Sequence, residues 1–116
     1  MEEILAEAIA EGWVNEERFA RAACRGKFRM KGWGKRKIRA WLRERDISDY
    51  CIEKGMEEID EEEYSQRMQE LMLRKWDQLS GESRIQHRKA KTYDYLVQKG
   101  YEPQQVLKEL RTICPS

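Results

Sequence analysis

Lys35-Arg36-Lys37-Ile38-Arg39-Ala40-Trp41-Leu42-Arg43-Glu44-Arg45, followed by Asp46, Ile47, Ser48 and Asp49, is the stretch that decides the fold. Ile38, Trp41 and Leu42 recur at the steps of one helix face, and Lys35, Arg39 and Arg43 fall at i, i+4 and i+8 on another. The spacing predicts a helix over 35–45. Ser48 then stands where an N-cap is needed, and Asp49 behind it favours the positive end of the next helix dipole. That helix, over about 49–59, packs through Ile52, Met56 and Ile59 and turns Glu53, Glu57 and Glu58 to water.

Upstream, Gly32-Trp33-Gly34 ends a helix expected over about 16–30. There Phe19, Ala22, Ala23, Gly26 and Met30 form the expected packing stripe, with small residues that would admit a second helix closely. Arg18, Arg21, Arg25 and Arg29 form a second stripe. Further upstream, Ile4, Leu5, Ala8 and Ile9 mark one side of a helix over 2–11, with Gly12 as its expected C-cap. Trp13-Val14 is then a short link, and Asn15 the N-cap of the next helix.

Downstream the plan recurs. Tyr64, Met68, Leu71 and Met72 predict a helix over 62–78, and Ser80-Gly81-Glu82-Ser83 a loop. Ala90, Tyr93, Leu96 and Val97 predict a helix over 84–99, with Gly100 capping it. Glu102-Pro103 opens a last helix carrying Val106, Leu107, Leu110 and Ile113. The two units align on each other: Phe19 on Tyr64 and Ala23 on Met68, then Leu42 on Leu96, Ile47 on Tyr101, Ile52 on Val106 and Ile59 on Ile113. The offset grows by nine residues around the first inter-helix loop. The expected organisation is all-α, with 1–12 as the last helix of a preceding repeat and 13–60 and 61–116 as two three-helix repeats, stacked into an elongated, curved array.

The composition fits. Of 116 residues, 39% are charged, and the mean hydropathy is −0.96. No apolar run approaches a membrane span, and acids occupy the start where a secretory leader needs bases. The formal net charge of +1 hides a pattern: net −6 over 1–17, +11 over 18–45, −8 over 46–63 and +4 over 64–116. Cys24, Cys51 and Cys114 form no CxxC or CxxH pair, so reduced thiols in a reducing cytoplasm are expected, with no metal site. The only histidine, His87, lies in a polar run. With no phosphate-binding loop, no HExxH and no triad, neither an enzyme nor a cofactor is expected.

Gly12-Trp13-Val14-Asn15-Glu16-Glu17-Arg18-Phe19-Ala20 resembles the Gly-aromatic-apolar-Asp-Asp-Glu-Arg-Phe-Ala signature of the RecX family of recombinase regulators. Lys31-Gly32-Trp33-Gly34, with Ile38, Leu42 and Ile47, resembles that family's Lys-Gly-x-Gly-x-x-x-Ile-x-x-x-Leu-x-x-x-x-Ile stretch. The likeness covers 12–59 and continues over 60–113 only in apolar spacing. Asp46 stands where the family commonly has glycine, Asn15 replaces an acid while keeping the capping role, and the family's upstream region is missing, as in a fragment or short variant. The resemblance implies three tandem three-helix repeats, binding in the groove of the RecA–DNA filament, and inhibition of RecA ATPase, strand exchange and co-protease activity without catalysis. Regulation of DNA repair within the SOS response follows from the same likeness.

The residues themselves point to a cationic ridge. Arg21, Arg25, Arg29, Lys35, Arg36, Arg39 and Arg43 are expected on one face, with Trp33 at the junction of its two helices. Such a ridge suits docking on a RecA nucleoprotein filament, or phosphates of single- or double-stranded DNA in the manner of a helix-turn-helix module. The bland alternative is a solvated face balanced by the acidic flanks. Trp41 has core spacing, and Trp13 the place of a unit boundary. Trp33 suits either base stacking or packing over the turn, and Trp76 is open.

Overall fold

The structure is a computed structural model. It describes the backbone of residues 2–114 and the side chains from Asn15 to Cys114. Six helices follow one another: α1 (Glu2–Lys31), α2 (Lys35–Glu44), α3 (Asp49–Met56), α4 (Glu61–Gln78), α5 (Ile85–Gln98) and α6 (Pro103–Ile113), with no strand among the described residues. The molecule is elongated, 70 × 24 × 21 Å.

α1 corrects the expected break. It runs unbroken through Gly12 and Asn15, so neither acts as a cap. An interior glycine costs only about 1 kcal/mol against alanine, less than giving up a run of helical hydrogen bonds. The expected place of Trp13 at a unit boundary lies outside the described side chains.

The face that α1 buries also differs from expectation. Ala20, Cys24 and Phe28 enter the core, while Phe19 stays 43% exposed and Met30 85%. The close helix approach is therefore made by Ala20 and Cys24 against Gly55 of α3. A Cβ on Gly55 would stand 2.7 Å from Cys24 Sγ and 2.8 Å from the Ala20 carbonyl oxygen. This shifts the repeat register on the first helix. By burial, Ala20, Cys24 and Phe28 correspond to Tyr64, Met68 and Met72, an offset of 44 rather than 45. Later pairs follow as expected, with Leu42 and Leu96, and Ile52 and Val106, all fully or almost fully buried. Trp41 is half-buried at the rim of the core, and Leu107 is exposed.

The two halves are locked by backbone as well as side chains. α2 begins at Gly34 without a side-chain cap. Its orphan N–H groups are met from the other half of the chain: Gly34 donates to the Lys99 carbonyl (2.7 Å), Arg36 to that of Gly100 (3.0 Å) and Lys35 to the Tyr64 hydroxyl (3.0 Å). No side chain fits this approach, since a Cβ on Gly34 would lie 2.2 Å from the Gly100 backbone. The C-terminus of α1 is met in the same way. Arg67 donates to the Arg29 carbonyl, Lys99 to that of Lys31 and Tyr101 to that of Gly32. Two of these donors are cations at the negative end of a helix dipole. Tyr64 also donates to Glu102 (2.8 Å), and its ring bridges Phe28 and Tyr101 in the shared core. Burial drives both the Tyr64 and Tyr101 hydroxyls far above their usual range, so they stay protonated donors.

Candidate partner-binding faces

Residues 18–45 place their cations on two flanks of the α1–α2 pair, and the flanks behave differently. On the first, the expected ridge is laced with acid. Arg21 reaches Glu17 (3.0 Å), Glu57 (3.5 Å) and Glu58 (3.2 Å). Arg25 reaches Glu58 (3.1 Å) and Arg29 reaches Glu63 (3.8 Å). On α2, Arg39 pairs with Glu53, Arg43 with Asp49, and Lys35 with Glu61. Apart from Glu17 on α1 itself, the acids come from α3, the link after it and the first turn of α4, all within the −8 segment of the sequence. α3 packs along α1 and touches α2, so the acidic side of α3 borders both rows of bases. These bases are thus held by carboxylates and are not free in charge. The guanidinium of highest demand, Arg21, is held charged above its usual range, first by the Glu17 hydrogen bond. Lys35 is further committed: its side chain is 13% exposed and lies 4.6 Å over the Tyr64 ring. Of the expected cations, Arg36 alone is exposed with no ion pair.

On the second flank the cations have no carboxylate partner among the described residues. Lys27 sits 4.8 Å over Trp33 and 4.5 Å over Trp41, Lys37 lies 4.5 Å over Trp33, and Lys31 5.7 Å over Trp33. Arg45 stacks 3.6 Å over Trp41 and donates to that residue's carbonyl. Desolvation first, then repulsion from Lys31 and Arg45, lowers the Lys27 ammonium pKa. Lys99 is lowered by desolvation and then by Lys37 and Arg67. Like charges thus converge here, held by aromatic faces. Trp33 is half-buried against the core, its ring topped by lysines, which is packing rather than an open stacking platform. The sequence offered a signal for this flank that the arginine count obscured. Lys27 and Lys31, and separately Lys37, Trp41 and Arg45, recur at four-residue steps.

Between these cations lies the stripe that α1 was expected to bury. Phe19, Ala22, Ala23, Gly26, Met30 and Trp41 line an open apolar groove of about 360 Å³, edged by Lys27 and Lys31. Phe19 stacks on Trp41 at 5.9 Å.

Residues 15–56 match the family model of the RecX second three-helix domain. The chain carries a RecX-family domain. The match spans the second half of α1, all of α2 and all of α3, the elements that build both flanks. No curated protein and no solved structure matches the chain. Within the RecX domain, Cys24 and Cys51 are buried and form no disulfide, and burial pushes the Cys24 thiol up to about 11, so it is protonated and inert at neutral pH. Among the described residues no group of three or more His, Cys, Asp or Glu could hold a metal ion, and no helix is long and apolar enough to cross a membrane.

Proposed function

We propose that this chain is a non-catalytic regulator that binds the RecA–DNA filament in the cytoplasm and modulates recombinase and co-protease activity in DNA repair and the SOS response. The match of residues 15–56 to the RecX second three-helix domain carries this reading. The contact is assigned to the unpaired cations Lys31, Arg36 and Lys37, with Trp33 holding the two lysines in place. Arg25, Arg29 and Arg43, each paired with a carboxylate, have no part in this contact. Arg21, Lys35 and Arg39 are committed to pairs within the domain. Charge used in this way sets encounter rate and register more than affinity. In a RecA–single-stranded-DNA ATPase assay, adding the protein lowers the rate in a dose-dependent way. An unchanged rate at saturating protein contradicts the proposal.

A second reading, a helix-turn-helix-like DNA-binding module, is favoured by the convergence of unpaired cations around Trp33. It requires DNA binding without RecA and a steep fall in affinity with salt. Charge reversal at Arg36 and Lys37 then flattens that slope.

A further inference from the structure

The apolar groove on α1 has a cationic edge and, among the described residues, nothing over it. Met30 and Phe19 are exposed, while Lys27 and Lys31 stand beside them without carboxylate partners among the described residues. The occupant that completes such a site offers an apolar helical side and a run of acids. This chain contains one. Residues 2–11 carry Glu2, Glu3, Glu7 and Glu11 and no base, with Ile4, Leu5, Ala8 and Ile9 at helical spacing. They belong to the first half of α1, and the groove to its second half. α1 is one continuous helix of 30 residues, about 45 Å long. Its acidic end therefore cannot fold back onto its own groove, but it can reach the groove of another copy.

We propose that two copies of this chain associate through antiparallel α1 helices, the acidic stretch 2–11 of each lying in the Phe19–Met30 groove of the other. The arrangement is self-complementary, so a two-fold axis near the middle of α1 makes both contacts at once. Small residues at Ala22, Ala23 and Gly26 let the helices approach closely, and a Cβ on Gly26 meets nothing within 4 Å, leaving room for the second helix. Opposite net charges at the two ends of α1 select the antiparallel pairing over the parallel one, where like ends would meet. Nucleic acid is the poorer occupant. Trp41 is covered by Phe19, Lys27 and Arg45, so it offers no open face to a base. Association also covers Lys31, so the dimer and the proposed filament contact compete for part of one flank.

Sedimentation equilibrium of the whole chain without RecA or DNA tests this, and so it is independent of the proposed function. The expected result is a concentration-dependent dimer. Lys27→Glu/Lys31→Glu weakens it roughly 100-fold or more, because like charges then face each other. Mixing that variant with Glu3→Lys/Glu7→Lys restores a heterodimer. Met30→Glu, at an exposed position, weakens the dimer while circular dichroism shows unchanged helix content. A wild-type chain that stays monomeric throughout overturns the proposal. So does a dimer that persists in both the charge-reversed and Met30→Glu variants.

Discussion

The two flanks of the α1–α2 pair carry similar numbers of cations and differ in everything that decides their use. On the arginine flank, Arg21, Arg25, Arg29, Arg39 and Arg43 each meet a carboxylate from α1, α3, α4 or the link between α3 and α4. On the lysine flank, Lys27, Lys31, Lys37 and Arg45 meet aromatic rings, the Trp41 carbonyl and one another, and no carboxylate among the described residues. An ion pair leaves little net field for a partner to feel. A cation over an indole keeps its full charge and is restrained in position, which lowers the entropy lost on binding. Availability, rather than number, separates the flanks.

The largest effects follow from the packing that creates the difference. α1 is pressed onto α3 on its core side and is open on its groove side. Gly55→Ala, which drives a methyl into Cys24 and the Ala20 backbone, costs about 1–3 kcal/mol in urea unfolding. Gly26→Ala, the same change toward the open side, has the opposite sign and stabilises by up to about 1 kcal/mol through helix propensity. Equal signs for the two would remove the asymmetry. Next in size, Asp46→Gly in the α2–α3 turn stabilises by about 0.5–1 kcal/mol, because Asp46 occupies the left-handed region at φ 58° where glycine is unstrained. Smallest is the loss of a shared carboxylate. Glu58→Gln lowers Tm by no more than about 4 °C, since half-exposed pairs contribute little, and the deficit shrinks in high salt. A much larger drop would mean the arginine pairs hold the domain more tightly than solvent-screened contacts can.

Much of the fold was legible in the sequence because strong local signals agreed. Ser48 accepts from the Cys51 N–H and caps α3 as expected, Pro103 opens α6, and the apolar spacing names the buried residues of α4, Ile38 and Leu42 of α2, and Ile52 and Met56 of α3. α1 was misread because hydrophobicity favours the heavier stripe. Phe19 and Met30 outweigh Ala20 and Cys24 in apolar bulk, yet only small side chains fit against Gly55. Helix spacing cannot show which stripe a neighbour covers. The ridge was legible as a row of bases, with balance by the acidic flanks as the alternative, but the individual pairs were not. Partners on α3 and just after it lie 37 residues from Arg21 and 14 from Arg39, pairings made by tertiary packing. The junction between the halves was legible only as two glycine turns. That Gly34 and Gly100 touch depends on how the units dock.

The most direct test of the account is filament binding by two triple variants that lose equal charge. Lys31→Gln/Arg36→Gln/Lys37→Gln weakens inhibition of the RecA–single-stranded-DNA ATPase by roughly tenfold or more, while Arg21→Gln/Arg25→Gln/Arg39→Gln changes it by less than about threefold once its lower stability is allowed for. Equal losses, or a larger loss on the arginine flank, would contradict the claim that only unpaired cations are available to the partner.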